Sequence, residues 1–327
     1  MRLLKLVPDD TNIGFLKWRN IAMAFSILTI IASIGLVAAK GLNFGVDFIG
    51  GQMIQATFTE TETAPIPELR DRIGGLGYGD ATIQRFGDDN EVSIRMRLPA
   101  DAESRPEAAN EMTEKIVSTI KADYPDVRID GVESVSGKVS SELFETGAYS
   151  LLFAMIAISI YIWIRFEWQF GIASLFALVH DVALTFGLFA LTQMEFNLNT
   201  VAALLTIIGY SLNDTIVVFD RVRENLKKYR KMDIIALLDL SVNETLARTV
   251  MTSLTMLIAL GGLIIWGPDV IFGFSVAMFF GVFVGTYSSV YMAAPILIWF
   301  KVGTDTFVPA ESGNDKAEKM DGPEQIG

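Results

Sequence analysis

Residues 21–39 run for nineteen positions without an ionisable side chain. A helix of that length, rising 1.5 Å per residue, crosses about 30 Å of hydrocarbon. Five further apolar blocks follow, at 148–164, 170–191, 200–219, 249–266 and 271–300. These blocks confine the chain to one class, an α-helical integral membrane protein with six transmembrane helices. Composition agrees: of 327 residues 51% are hydrophobic and 20% charged, where a soluble chain carries about a quarter charged. A soluble globular enzyme is excluded. Cysteine is absent and histidine occurs once, which removes disulfides, thiolate chemistry and multi-histidine metal centres.

Lysine and arginine placement orients the spans. Arg2, Lys5, Lys17 and Arg19 precede the first block, Arg165 lies between the second and third, and six basic residues from Arg221 to Lys231 lie between the fourth and fifth. The short connections at 193–199 and 267–270 hold neither lysine nor arginine. Both termini are therefore expected in the cytoplasm: a leading segment over 1–19, a first helix at 20–40 read as an uncleaved signal anchor, and a disordered tail over 301–327. Residues 220–248 read as a basic amphipathic segment lying at the cytoplasmic interface, between membrane segments that together span 146–300.

The long insertion, 41–145, falls outside the membrane and carries 20 acidic and 10 basic residues, nearly the whole net charge of -12. Its pattern predicts strand 52–59, helix 66–76, strands 81–86 and 91–98 around a turn, helix 105–122 and strand 127–132. That β-α-β-β-α-β order is a ferredoxin-like α+β unit, which argues shape and not chemistry.

Ionisable groups inside spans are costly and mark function by default. Asp214 lies about five residues before the inner end of span four, roughly 7–8 Å deep. Arg248 opens the antiparallel span five at similar depth, so an Asp–Arg pair that opens to let Asp214 take a proton is one reading. The other has Arg248 snorkelling and Asp214 bonding a neighbouring helix. Asn213 flanks the carboxylate. His180 and Asp181, in mid-span three, are either a further relay step or a polar clamp. Adjacent helical residues diverge by about 100°, so both are not expected to face one partner. Gly281 and Gly285 form a GxxxG that signals close helix packing, within the chain or against a partner. In the loop after span one, Gly45, Gly50 and Gly51 permit tight turns and Asp47 is suited to orient the exit from the membrane. Enzyme readings lack their residues: HExxH needs two histidines, and no nucleotide-binding loop is visible. A serine paired with His180 stays open, though nothing marks a nucleophile.

Several of these segments together resemble the SecD/SecF family, accessory membrane subunits of the bacterial Sec protein translocase, and within it the SecF type. They are Gly41-Leu42-Asn43-Phe44-Gly45-Val46-Asp47-Phe48-Ile49-Gly50-Gly51, Arg165-Phe166-Glu167-Trp168 with His180-Asp181, Gly209-Tyr210-Ser211-Leu212-Asn213-Asp214-Thr215, Phe219-Asp220-Arg221-Val222-Arg223-Glu224-Asn225 and Ala247-Arg248-Thr249. The resemblance covers most of 16–301. It implies a half unit of the resistance-nodulation-division superfamily, six helices with an exported domain between the first two, in the bacterial inner membrane. It further implies SecD as partner, association with the SecYEG channel and YajC, and an exported unfolded polypeptide as substrate. The driving force it implies is the proton motive force, with no cofactor, no nucleic acid and no enzymatic step, and with proton movement through the residues matching Asp214 and Arg248. Two alternatives stay open: a proton-driven exporter of small molecules or lipids from the same superfamily, and a non-conducting scaffold for translocase assembly.

Overall fold

A computed structural model describes residues 7–8, 11–79, 81–97 and 106–303. Arg2, Lys5, the expected tail beyond Gly303, and the ends of the strand and helix assigned to 98 and 105 lie outside those residues. Among the described residues, six helical segments are long and apolar enough to cross a membrane: Phe15–Lys40, Gly137–Arg165, Trp168–Thr192, Leu198–Lys228, Ile234–Trp266 and Phe272–Trp299.

The first combines a 3-10 turn, Phe15–Trp18, with helix α1, Arg19–Lys40. A four-residue helix α2, Val46–Ile49, then leads into the outer domain, which is built of β1 Gly51–Phe58, α3 Ile66–Gly74, β2 Thr82–Phe86, β3 Asp88–Met96, α4 Pro106–Asp123 and β4 Val127–Val135. The sheet order is β2-β3-β1-β4 with every neighbouring pair antiparallel, the ferredoxin-like arrangement expected from the pattern. Alternation decides its faces. Ile54, Ala56, Phe58, Val92 and Ile94 point to one side and form a core with Leu69 and Ile73 of α3 and Met112, Ile116 and Ile120 of α4. The opposite face is polar and turns toward the membrane portion, where Arg95 of β3 bonds the loop after α1.

Helix α5, Gly137–Arg165, starts earlier than the sequence pattern suggested. Ser136 caps it, its Oγ accepting from Val139 N at 3.3 Å. Its polar first turns, assigned above to the outer domain, are a helical stalk joining β4 to the second span. Helices α6, Trp168–Thr192, and α7, Leu198–Lys228, follow, with a capping box between Asn197 and Thr200 starting α7. Helix α8, Ile234–Trp266, is capped by Asp233.

The separate surface segment expected at 220–248 does not form. Helix α7 runs on to Lys228 and α8 begins at Ile234, so the region is a helical hairpin beyond the apolar blocks. It is amphipathic because its apolar side chains pack inside that hairpin. Val222, Leu226, Leu237, Leu238 and Val242 are buried, and Arg221 Nε donates to Glu244 at 2.7 Å across the pair. The leading segment also docks here: Asn243 Oδ1 accepts from Ile13 N and Asp239 Oδ1 from Leu16 N, both at 2.9 Å.

The sixth span is broken into α9, Phe272–Ser288, a π turn, Ser289–Ala293, and α10, Ala294–Trp299. Pro295 lacks the N–H that would continue the regular ladder, and the wider turn precedes it. Helices α6, α7 and α9 form the buried centre, while α1, α5 and α8 present exposed apolar side chains such as Phe25, Leu28, Phe153, Trp163, Ile258 and Ile265. Gly281 and Gly285 make a close helix contact within the chain itself. A Cβ at Gly281 would run into the Ile207 side chain and one at Gly285 into Ser211, both on α7.

Candidate functional site in the membrane

The bundle centre holds two buried carboxylates. Asp214 of α7 is 7% exposed. Its Oδ1 accepts from Thr249 Oγ1 of α8 at 2.6 Å and its Oδ2 from Ser289 Oγ, at the start of the π turn, at 2.9 Å. Asp181 of α6 is fully buried. Its Oδ2 accepts from Ser211 Oγ of α7 at 2.5 Å and from Ser288 Oγ of α9 at 2.9 Å, and its Oδ1 meets His180 Nδ1 at 2.9 Å. The two carboxylates thus sit one helical turn apart along α7 and are bonded by consecutive serines of the sixth span. Among the described residues, no group of three or more histidine, cysteine, aspartate or glutamate side chains is arranged to hold a metal ion.

This geometry matches the second of the two readings of Asp214, in which it bonds neighbouring helices and Arg248 stays apart. Arg248 is exposed and makes no ion pair or hydrogen bond with Asp214 in this conformation; its neighbour Thr249 faces α7 instead. Consecutive helical positions diverge by about 100°, so a Thr249 turned inward carries Arg248 off that face. Asn213 is likewise exposed. His180 and Asp181 share no outside hydrogen-bond partner among the described residues; the imidazole instead folds back onto its own neighbour's carboxylate and both are buried. The hydroxyls of Ser211, Thr249, Ser288 and Ser289 were missed as site residues. Their one signal was a polar residue inside an apolar block, which also fits ordinary helix bonding of the kind Thr206 makes to Ala202 O.

A second polar centre joins the outer domain to the bundle. Arg95, 3% exposed, donates from Nη1 to Phe44 O at 2.9 Å and from Nη2 to Asn43 Oδ1 at 3.0 Å and Gln84 Oε1 at 2.6 Å. Its Nη1 lies 3.9 Å from Glu195 Oε2, in the turn between α6 and α7. Burial pushes the Glu195 carboxyl up from the ordinary glutamate value, against the pull of Arg95 and with Glu133 and Asp47 adding to the rise. The glycines of the preceding loop are required here. Gly45 packs against Glu195 where a Cβ would collide, and Gly51, at φ 118°, faces Met96 O with no room for a side chain. Asp47 Oδ2 accepts from Leu198 N at 2.9 Å, at the positive end of α7. Phe44, Phe48, Phe144 and Phe196 pack around this junction.

The motifs that build both centres match known proteins. Residues 115–303 match the family described as protein export membrane protein SecD/SecF, C-terminal, and residues 35–62 match the SecD/SecF GG motif. A protein translocase subunit SecF of Rhodobacter capsulatus is 47% identical over 323 residues, covering 96% of this chain and 96% of its own. The chain belongs to the SecD/SecF family. Among its relatives, the SecF subunit of Rickettsia felis is 41% identical over 298 residues, 91% of this chain and 94% of that protein. The crystal structure of SecDF, a translocon-associated membrane protein from Thermus thermophilus, superposes with a TM-score of 0.81 at 33% identity and 89% coverage of this chain. This chain spans only 39% of that SecDF chain's length. A super-membrane-facing form of SecDF matches with a TM-score of 0.67 at 32% identity, over 92% of this chain. The SecD/SecF chain described here is thus a multi-pass membrane protein that aligns with these relatives over most of its length.

Proposed function

We propose that this chain is a SecF subunit of a bacterial Sec translocase which, with SecD, uses the proton motive force to support late steps of protein export. In this reading it lies in the inner membrane with both termini in the cytoplasm, as the basic residues flanking its spans suggest. It works beside the SecYEG channel and YajC on an exported unfolded polypeptide, and it performs no covalent chemistry. The observation that carries the reading is Asp214: a carboxyl buried among α7, α8 and the π turn, bonded by two neutral hydroxyls and, among the described residues, by no cation. Such a group can bind and release a proton without breaking a permanent ion pair. Each charge crossing the membrane potential supplies about 2.3 kcal/mol per 100 mV. Arg248, exposed on α8 beside Thr249, is free to approach Asp214 when α7 and α8 shift, and in this role it would favour proton release.

The test is export of a secreted precursor in cells whose sole copy carries Asp214→Asn, with membrane levels measured in parallel. Asparagine keeps the shape and removes the titratable proton. Normal levels with export reduced to that of a deletion support the relay. Normal export sinks it and favours the scaffold reading, in which Thr249 and Ser289 merely clamp Asp214.

A further inference from the structure

We propose that His180 and Asp181 form a second proton-binding site on the outer-domain side of Asp214, with His180 Nε2 as the accepting atom, and that Ser288 and Ser289 couple the two sites. The proposal rests on the reading of Asp214 as a proton carrier. Its starting point is an orphan: His180 is 1% exposed and its Nε2 has no hydrogen-bond partner among the described residues.

Two arrangements of the pair are conceivable. If Asp181 carried the proton and donated to a bare Nδ1, Nε2 would be a buried N–H with no acceptor, a rare and costly state. If Nδ1–H donates to an ionised Asp181, the carboxylate collects donors from His180, Ser211 and Ser288, and Nε2 is left as an unshared lone pair. The second arrangement satisfies every donor present. It also leaves a negative charge in the bundle compensated only by neutral dipoles. A proton arriving at Nε2 forms an N–H bond with that lone pair, keeps Nδ1–H on Asp181, and turns the site into an imidazolium–carboxylate pair of zero net charge at 2.9 Å. This charge neutralisation must offset the cost of an Nε2–H without an acceptor, which makes the proton-bound state the higher-energy, transient one. Release restores the lone pair, and no other bond changes.

Position follows from helix direction. Helix α7 starts on the outer-domain side, and Ser211, which holds Asp181, precedes Asp214 by three residues, about 4.5 Å along the axis. Asp181 therefore lies nearer the outer domain than Asp214. The link between them is short: Ser288 donates to Asp181 and Ser289 to Asp214. Ser289 opens the π turn, whose wider ring and Pro295 make this stretch of the sixth span the one most able to change register. A carboxyl that gains a proton becomes a donor as well as an acceptor, so a change at either aspartate pulls on the same two residues.

No other charge intrudes. Helix α1 has no ionisable side chain between Arg19 and Lys40, and α5 has only Tyr149 and Tyr161 between Glu145 and Arg165. On α9 and the π turn the titratable neighbours are Tyr287, its ring 6.1 Å from that of His180, and Tyr291 beyond it. Tyr287 OH is engaged, donating to Ala22 O at 2.9 Å beside Ser26 Oγ at 3.1 Å. On α7 they are Asp214 and Tyr210.

Because this is the sole histidine, its ring nitrogens can be read directly. The full-length chain, 15N-labelled at histidine and purified on a histidine-free tag, would be placed in lipid bilayers and its imidazole nitrogens followed by solid-state NMR across about pH 5 to 8. The expected result is a protonated Nδ1 and bare Nε2 at high pH, both protonated at low pH, with the midpoint displaced in Asp214→Asn and in Ser288→Ala. A bare Nδ1 with Nε2–H, no second proton in that range, or a midpoint indifferent to both substitutions overturns the proposal. In cells, His180→Asn keeps an N–H near the Nδ1 position and deletes the Nε2 atom. Normal membrane levels with export reduced at least about tenfold are expected; normal export makes the pair a structural clamp and overturns the proposal. If Asp214→Asn exports normally, the reading of Asp214 fails by itself, and the His180 titration still decides whether this second site binds a proton.

Discussion

Asp181 and Asp214, inside the helix bundle, are held by hydroxyls and an imidazole, whereas Glu195, where the outer domain meets the bundle, faces the guanidinium of Arg95. The first arrangement stabilises a carboxyl through neutral dipoles and leaves its charge free to be cancelled by a proton. The second couples it to a permanent cation that also bonds Phe44 O, Asn43 and Gln84. On the proposed reading the bundle centre changes its charge state, while the junction keeps the fixed charge of Arg95.

That contrast can be broken in four places. The largest effect is expected from Gly281→Val, which drives a branched side chain into Ile207 and separates α9 from α7. Membrane levels on an immunoblot should fall to near zero, while Gly35→Val, with open space around it, should accumulate normally. Arg95→Met comes next. It strands Glu195, Phe44 O and Asn43 Oδ1 beneath the sheet and should lower the stability of purified protein in detergent by about 2–4 kcal/mol, with the outer domain becoming sensitive to added protease. If Arg95→Met leaves both measures unchanged, the junction is not the fixed element described here.

Thr249→Val removes one hydroxyl from Asp214 while keeping shape. A loss of about 1–2 kcal/mol of hydrogen bonding should appear as a shifted pH dependence of export rather than lost protein; reduced membrane levels instead would make Thr249 a structural bond. The smallest effect is expected from Glu195→Gln. The native carboxyl is raised, chiefly by burial, so the folded state holds its proton more tightly than the unfolded chain. Stability from this group is present at pH below the ordinary glutamate value and is lost as pH rises through the raised one. The glutamine variant should therefore match the parent in acid, exceed it slightly at neutral pH, and show a flatter melting profile between. A variant less stable than the parent at neutral pH would mean that the Arg95 attraction outweighs burial.

Much of this was legible in the chain. Six apolar blocks gave six spans because hydrocarbon thickness sets a length that composition alone reveals. Period-two alternation and turn residues gave all four strands of the outer domain. The hairpin at 220–248 was misread because one amphipathic pattern serves equally for a membrane surface and for a neighbouring helix, and only the partner across the turn distinguishes them. Asp214 was legible as a costly intramembrane charge. Its actual partners, Thr249 and Ser289, were not, since serine and threonine in spans usually bond their own helix, as Thr206 and Thr255 do.

The sequence by itself determined membrane residence, span number, the ferredoxin-like order of the outer domain, and which carboxyls lie inside the bundle, because each follows from local length, period or charge. Only tertiary structure decided that Thr249 and not Arg248 meets Asp214, that His180 turns onto Asp181, and that consecutive serines at a π turn touch two different carboxylates. Those outcomes depend on the rotation of α6, α7, α8 and α9 about their axes. Close packing at Gly281 and Gly285 sets that rotation for α7 and α9, and no local property of the chain encodes an angle between helices.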